Sequence, residues 1–514
     1  MDRILRRLGA LPIGGIAITL IVALTVWRPN MNRLGYEHAL PTIAVVLVLA
    51  GLVTVALRYV LGSWPRAGLA ASLVASFAFY SVPLADTIGG AAFAPAIVAA
   101  LLVLTIFVAR RIPNTAAAIS LNGKLNLLLV GFAAFLAASV AVQQAQLESV
   151  RPAAAEQFQP LQGQAAADAP DVWHILFDRY ASNDVLADRY AFDNGALVAE
   201  LKKRGFSVGE GNRSNYQRTA HSVAATLNGA SLDRLAASVT GPKNDWLPIY
   251  RAISDNQATR FFERNGYRTV FAGTWWSPTR KLNTGEVISY RALPELGRVL
   301  LDQSVIGAVL RWTGLPYGDG RIEQCWREKD KFARLEALAK EPDRKFVFAH
   351  FLVPHPPFVL GADGSCKPLE QAQRMSRRDN YVDQVRYANA EMIRLVDTIL
   401  AGPRPAVIVI HSDEGPWPEP FVGNEHALGR DPVSVDWRKV DGARLREKMG
   451  VLMAVRSPSG PPATMPDSPV QIYPSILRDN FAGKGPIPAD SYEVFESDAE
   501  LYRFHDVAAK LRGS

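Results

Sequence analysis

Five apolar stretches follow one another within the first 143 residues, and they constrain the fold of this chain more than any other feature. Each stretch is close to the roughly 20 residues that a helix needs to cross a membrane, and none contains a charged residue. One stretch alone could be a buried core helix or, at the N-terminus, a cleaved signal peptide. Five in succession predict a membrane domain. They are Leu11–Trp27, Ala39–Leu57, Ala67–Leu84, Ala91–Ala109 and Leu125–Val142.

Basic residues in the flanking segments predict the orientation of these spans. Lys and Arg are concentrated at the N-terminus and in the second and fourth loops, at Arg3, Arg6, Arg7, Arg58, Arg66, Arg110, Arg111 and Lys124. Short cytoplasmic loops carry the excess of Lys and Arg, so the N-terminus is predicted to be cytoplasmic and everything beyond Val142 to lie outside. The formal net charge of +7 partly reflects these loops, and we do not interpret it as nucleic-acid binding.

The composition changes twice after the apolar region. Residues 144–171 are rich in Ala, Gln and Pro and are typical of a linker. From residue 172 onward, short apolar runs alternate with amphipathic stretches, which predicts a mostly parallel sheet between helices. We therefore expect a transmembrane domain over 1–143, a linker over 144–171 and an extracytoplasmic α/β domain over 172–514. Predicted strands are 172–177, 269–273, 345–351, 406–413 and 450–455, and predicted helices include 195–204 and 381–400.

Two cysteines, Cys325 and Cys366, both lie in the predicted outer domain. An extracytoplasmic compartment permits a disulfide between them, and two unpaired thiols are the alternative. The chain contains no CxxC pair, which excludes a zinc-ribbon type of metal site.

Polar side chains follow the predicted strands where each strand ends. Asp178 follows the first strand, Asp413 and Glu414 follow a later one, and His350 and His355 lie within and beyond a third. Because the carboxyl ends of parallel strands share one edge of a sheet, ligands and chemistry are expected at that edge. Each residue also has a purely structural interpretation, such as a turn cap or a core histidine.

The same segments resemble motifs of the alkaline phosphatase superfamily, and in particular its sulfatase-like, membrane-anchored branch of phosphoethanolamine transferases and lipoteichoic acid synthases. Thr219-Ala-His-Ser-Val matches the Thr-Ala-x-Ser-Val nucleophile motif of the transferases. His350 and His355, followed by x-Pro-Phe, resemble the family's H-x4-H-x-P-aromatic motif. Asp413 matches the aspartate of the S-D-H-G motif, and His426 lies where the transferases place a further active-site histidine.

The resemblance implies a site and a reaction. The implied metal ligands are Asp178, Thr219, Asp413 and Glu414, the substrate-binding residues are Arg213, Arg218 and His350, and the catalytic residues are Thr219, His355 and His426. The implied enzyme is a transferase of the bacterial cytoplasmic membrane with its catalytic domain on the periplasmic or outer side. It would move a phosphoethanolamine or phosphoglycerol headgroup from a phospholipid to a glycan or lipid acceptor of the cell envelope, through a phosphothreonine intermediate.

One departure from the family pattern bears on the metal. Glu414 replaces the histidine of the motif, and an additional carboxylate favours one Mn²⁺ or Mg²⁺ ion over Zn²⁺. The exchange is also compatible with a weakened or lost metal site, or with His411 supplying a nitrogen ligand instead. Two other functions therefore stay open at this point: a phosphodiesterase or other hydrolase that uses water, and a non-catalytic member that binds lipid or a partner. The C/S-x-P-x-R signature of true sulfatases is absent.

Overall fold

The computed structural model describes residues 2–87, 94–111, 115–280, 285–288, 292–422 and 435–512. The chain divides into two compact units. One unit comprises Met1–Val150 together with Leu293–Gly320, and the other comprises Arg151–Ala292 together with Arg321–Ser514.

The helices are numbered in chain order. They are α1 (Asp2–Ala10), α2 (Gly14–Trp27), α3 (Tyr36–Leu61), α4 (Trp64–Thr87), α5 (Ala94–Arg111), α6 (Thr115–Val150), α7 (Asn183–Tyr190), α8 (Gly195–Lys203), α9 (Thr219–Asn228), α10 (Asp233–Ser238), α11 (Leu247–Ser254), α12 (Gln257–Arg264), α13 (Ser277–Arg280), α14 (Glu295–Asp302), α15 (Val305–Thr313), α16 (Gly320–Leu338), α17 (Leu369–Arg374), α18 (Arg377–Leu400), α19 (Gly442–Met449), α20 (Ile472–Asn480) and α21 (Ala508–Arg512).

The first unit contains α1 to α6, α14 and α15. Helices α2 to α6 coincide with the five predicted apolar stretches, except that residues 91–93 lie outside the described part of the chain. Among the described residues, two helical segments, Tyr36–Leu61 and Thr115–Gln157, are long and apolar enough to cross a membrane. A third candidate is the pair Arg3–Ala10 and Gly14–Asn30, which is bent by 83°. The part of the chain that the structure describes therefore contains two or three candidate spans, and five spans stay a prediction.

Two asparagines of α6 stabilise the bend between α1 and α2. The side-chain Nδ2 of Asn122 donates to the carbonyls of Gly9 and Leu11, and Asn126 Nδ2 donates to those of Leu8 and Leu11. These carbonyls lie at and just beyond the end of α1, where the helical hydrogen-bond pattern stops. In an apolar environment, an unsatisfied carbonyl is costly, so the two amides allow the chain to turn there.

A seven-stranded sheet forms the centre of the second unit, with strand order β2-β7-β6-β1-β5-β3-β4. The strands are β1 (Asp171–Phe177), β2 (Ser207–Val208), β3 (Arg268–Ala272), β4 (Glu286–Ile288), β5 (Lys345–Phe351), β6 (Ala406–His411) and β7 (Met453–Arg456). The five strands from β6 to β4 in this order are parallel, which confirms the predicted mostly parallel sheet. β7 pairs antiparallel with β6 and with β2. A separate antiparallel pair consists of β8 (Glu493–Phe495) and β9 (Phe504–Asp506).

The central strand β1 is buried along its whole length. Its residues contribute alternately to two hydrophobic cores, with Val172 and Leu176 on one face and Trp173 and Ile175 on the other. Both faces are covered, so the strand is a continuous apolar run rather than an alternating one. In this register Leu176 pairs with His350 of β5 and with His411 of β6, which brings the carboxyl ends of three strands to one edge.

The two cysteines form a disulfide between α16 and the segment that precedes α17. Their Cα atoms are 5.7 Å apart, and 41 positions separate them in the sequence. Of the two alternatives that the sequence left open, the structure supports pairing.

Candidate active site

The first side chain of the site, Asp178, directly follows β1. Its backbone N–H donates to the carbonyl of Phe351 at 2.9 Å, which fixes the carboxylate at the edge of the sheet. Its Oδ2 lies 3.1 Å from Nε2 of His350, and both residues are buried. Burial lowers the pKa of His350 to about 4, so the ring is neutral at pH 7. The Thr279 hydroxyl lies 3.1 Å from Nδ1, which fits a tautomer that donates Nε2–H to Asp178.

Asp413 lies two residues beyond the end of β6, in the same buried region. Its Oδ1 accepts the backbone N–H of Arg179 at 3.4 Å, and the nearby Thr219 hydroxyl favours the charged form of this carboxylate. Within the described chain, its Oδ2 has no hydrogen-bond partner although it is buried. Burial, and then the charges of Asp178 and Glu414, raise the pKa of Asp413 well above its usual range. The carboxylates at this edge therefore repel one another, and a bound cation would relieve that repulsion.

Thr219 is the first residue of α9 and is half-buried. Arg218 precedes the helix in an extended conformation, and no side chain caps the helix N-terminus. The first N–H groups of a helix have no partner within it, and the helix dipole favours negative charge at this end. α9 is rich in Ala and ends at Gly229, whose φ of 59° is a conformation that glycine adopts without strain. Local sequence thus places a hydroxyl where a phosphate group would be stabilised.

Glu414 is bound by two buried cations. Its Oε1 lies 3.0 Å from Nε of Arg179 and 2.6 Å from Nζ of Lys448. Lys448 also lies over the ring of Trp417 at 4.7 Å. Burial lowers the pKa of Lys448 from its usual value, whereas the charge of Glu414 opposes that shift. The second oxygen of Glu414, Oε2, accepts no hydrogen bond from the described residues, and its role as a metal ligand stays a prediction.

Removing the Glu414 carboxylate is expected to destabilise the second unit strongly. In Glu414→Ala, Lys448 and Arg179 would remain buried without their partner, and breaking a buried ion pair costs about 3–5 kcal/mol. The measurement is the unfolding of the full chain in detergent with a chelator present, so that loss of a metal does not contribute. The matched control is Asp330→Ala, which breaks the partly exposed pair with Arg334 and should cost about 0–1 kcal/mol. Equal losses for the two variants would contradict the expected role of the pair.

Arg179 has an unusual backbone conformation, with a φ of 62°. A non-glycine residue in this region is strained, and such strain is maintained only when surrounding contacts hold it. Here the Arg179 side chain binds Glu414, its N–H faces Asp413, and its carbonyl accepts the Tyr381 hydroxyl at 2.8 Å. The residue therefore connects the ends of β1 and β6.

The two predicted arginines have different surroundings. Arg218 lies over the Trp417 ring at 4.7 Å and pairs with Asp498 at 3.1 Å. It thus belongs to the group of cations around Glu414. Arg213 instead pairs with Asp184 at 2.6 Å and lies 3.3 Å from the Ser182 hydroxyl. Its predicted substrate-binding role stays a prediction.

Of the two remaining predicted histidines, one belongs to the described part of the chain. His355 is half-buried, its Nδ1 contacts the carbonyl of Pro356, and its own carbonyl accepts Gln384 Nε2 at 3.2 Å. His426 lies outside the described residues. Catalytic roles for both stay predictions.

Several supporting residues escaped the sequence reasoning. Lys331 Nζ donates to the carbonyl of His350, and Glu328 accepts the N–H of Leu352 at 3.2 Å, so α16 holds the end of β5 in place. Lys448 comes from α19, far along the chain from Glu414, and no motif marks it. Its contact with Glu414 depends on the tertiary fold, so the sequence carries no signal for it.

The described residues contain no group of three or more His, Cys, Asp or Glu side chains arranged to hold a metal ion. Asp178 and Asp413 supply two carboxylates, and Thr219 would add a hydroxyl. The buried, unpartnered Oδ2 of Asp413 and the raised pKa of its carboxyl fit a divalent cation at this position.

No curated protein matches the sequence significantly. The C-terminal periplasmic domain of EcEptC from Escherichia coli is similar in structure, with 9% identity and a TM-score of 0.41 over 69% of this chain and 98% of that domain. A complex of the same domain with Zn gives 10% identity and a TM-score of 0.35, over 67% of this chain and 84% of that one.

A third similar structure is the integral membrane protein lipooligosaccharide phosphoethanolamine transferase A from Neisseria meningitidis. It has 12% identity and a TM-score of 0.39, and the match covers 93% of this chain and 95% of that one. The model of the Sulfatase family matches residues 170–448, which is more than half of the chain. The protein therefore belongs to the sulfatase family, in agreement with the superfamily indicated by its motifs.

Proposed function

We propose that this protein is a metal-dependent, membrane-anchored transferase that uses Thr219 as its nucleophile. It would take a phospho-headgroup, phosphoethanolamine or phosphoglycerol, from a phospholipid and deliver it to a glycan or lipid acceptor of the cell envelope. One observation carries the proposal: the Thr219 hydroxyl stands at the uncapped N-terminus of α9, near enough to the buried carboxylate of Asp413 to favour its charged form. A nucleophile next to a base is the arrangement that covalent catalysis needs.

In the first step Thr219 attacks the phosphorus of the phospholipid. The hydroxyl proton passes to Asp413, a bond forms between Thr219 Oγ1 and phosphorus, and the bond from phosphorus to the diacylglycerol oxygen breaks. The leaving diacylglycerol oxygen takes a proton from a general acid, for which His355 and His426 are the predicted candidates.

In the second step the acceptor hydroxyl attacks the phosphothreonine and gives its proton to the group that had protonated the diacylglycerol oxygen. The bond between phosphorus and Thr219 Oγ1 breaks, the new phosphodiester forms, and Asp413 returns its proton to the threonine oxygen. Water in place of the acceptor would give a hydrolase instead. The two reactions share the first step and differ only in what resolves the intermediate.

Several groups near Thr219 could bind the negatively charged phosphoryl oxygens of the transferred group. The unpaired N–H groups at the start of α9 can bind phosphoryl oxygens. Arg218 and Lys448 bring positive charge to the same region around Trp417. Donors that are fixed before the reaction stabilise developing negative charge without reorganising.

A divalent metal would be held by Asp178, Asp413 and Thr219, with Glu414 as a further predicted ligand. Such an ion acidifies a bound hydroxyl and neutralises charge on phosphoryl oxygens. A ligand set dominated by oxygen favours Mn²⁺ or Mg²⁺ over Zn²⁺.

The apolar N-terminal unit would place this reaction at a membrane. Its two or three candidate spans, or the five predicted from sequence, would anchor the enzyme in the bacterial cytoplasmic membrane, with the second unit on the outer side. Attachment to the membrane raises the effective concentration of a lipid substrate at the site.

The proposal is tested with the full chain in vesicles that contain phosphatidylethanolamine and phosphatidylglycerol labelled in the headgroup, with Mn²⁺ or Mg²⁺ present. We expect diacylglycerol to be released and the label to appear on an added hydroxyl acceptor. Label released as a free phosphate ester would identify a hydrolase. Intact lipid under all these conditions would contradict the proposal and favour a non-catalytic binding protein.

A further inference from the structure

The helix pair α14–α15 is a segment between β4 and α16 that folds with the N-terminal unit. Leu296 and Leu300 of α14 are buried in the hydrophobic cluster that contains residues of α2 and α3. Ala308 of α15 is buried against Val82 of α4. The pair is thus an integral part of the unit that contains the candidate spans.

The pair has a fixed internal structure. The Ser304 hydroxyl caps α15 by accepting the N–H of Gly307 at 3.2 Å. A Cβ at Gly307 would collide with the carbonyl of Leu301, so the close approach of the two helices requires glycine. Arg298 and Arg311 both reach Asp302, at 2.9 and 3.6 Å.

The outer side of the pair is apolar and exposed. Ile306, Val309 and Trp312 recur every three residues along one side of α15, and the exposed Leu315 follows just beyond the helix end at Thr313. We call these four exposed apolar residues the strip. The Trp312 side chain is 77% exposed and that of Ile306 is 57% exposed. Inward-facing residues of the same helix, such as Val305, are buried, so α15 is apolar on two sides.

The helix pair contacts particular ends of the predicted spans, and those contacts indicate what covers this strip. The cluster around Leu296 and Leu300 also contains Trp27, Met31 and Leu34, at the connection between α2 and α3. Val82, the neighbour of Ala308, lies close to the C-terminal end of α4. Both regions lie on the outer side in the predicted topology, so the pair lies where helices leave the membrane.

We propose that the strip Ile306, Val309, Trp312 and Leu315 inserts into the outer leaflet of the lipid bilayer that surrounds the N-terminal unit. Tryptophan is enriched at the level of the lipid headgroups because its ring is apolar and its N–H is polar. A short helix with an apolar strip and flanking arginines is typical of an element that lies in the membrane interface. The helix pair is therefore a second membrane contact, contributed by a segment remote from the spans in sequence.

The absence of free cysteine makes a direct test possible. The sequence has two cysteines, and they form the disulfide, so a single introduced cysteine can carry a spin label. We would label I306C, V309C, W312C and L315C separately in the full chain in lipid nanodiscs. The collision rates of each label with oxygen, which concentrates in lipid, and with a water-soluble nickel chelate are then compared.

We expect oxygen collisions to dominate at all four positions, as at the lipid-facing control V48C in α3. The water-facing control is K439C, since the Lys439 side chain is 81% exposed in the second unit, and there nickel collisions should dominate. Nickel-dominated labels along the strip would overturn the proposal. Labels shielded from both reagents would also overturn it, because protein, such as a second copy of this chain, would then cover the strip.

Discussion

Thr219→Ala is expected to lower the rate of diacylglycerol release by at least about 10³-fold, because it removes the only proposed nucleophile of the reaction. The side chain is half-buried at the start of α9, and no cap depends on it. The variant should therefore fold with little change in Tm. The measurement is the initial rate of diacylglycerol release in vesicles, at saturating Mn²⁺.

Two companion variants make this prediction specific. Thr219→Ser keeps a hydroxyl at the same position and should retain measurable activity. Thr398→Ala removes a threonine whose hydroxyl only donates to the carbonyl of Arg394 within α18, and it should behave like the natural sequence. Full activity of Thr219→Ala would exclude a threonine intermediate.

Asp413→Asn is expected to reduce the same rate by about 10²–10³-fold, through loss of the base and of a cation ligand. An amide does not accept the Thr219 proton, and it contributes no charge to bind a metal with Asp178. The activity should fall without a fall in stability. Burial near Asp178 and Glu414 already disfavours the Asp413 carboxylate, so in the presence of a chelator the neutral variant should unfold at the same or a higher Tm.

A loss of activity without a loss of stability distinguishes a functional carboxylate from a structural one. Asp330→Asn, at a partly exposed ion pair, is the control and should change neither quantity appreciably. A large fall in Tm of Asp413→Asn, together with loss of activity, would indicate that the carboxylate maintains the fold rather than the chemistry.

The central strands could be predicted from sequence because a strand that is buried on both faces appears as a short, continuous run of apolar residues. β5 was predicted over the same residues, 345–351, and β1 differs by one residue at its start. The direction of β7 could not be predicted, because an apolar run such as GVLMAV carries no information on whether its neighbour is parallel. The predicted strand at 450–455 also begins later, at Met453.

The site was predictable only where residues are adjacent to strand ends or belong to a motif. Asp178, Thr219, His350 and Asp413 met that condition, and the structure brings them together. The partners of Glu414 did not, because Lys448 reaches it from another helix and its contact depends on the tertiary fold. The burial of α14 and α15 in the first unit also depends on long-range packing, and their short apolar runs resemble those of many soluble helices.

The most direct test of the covalent mechanism is the mass of the Thr219 peptide after the full chain has been incubated with phosphatidylethanolamine and phosphatidylglycerol vesicles and Mn²⁺, with no acceptor added. We expect a phospho-headgroup on Thr219 in the natural sequence and in Thr398→Ala, and none in Thr219→Ala. The added mass would also identify the headgroup. Diacylglycerol release without any adduct on Thr219, or an adduct on a different residue, would contradict the account.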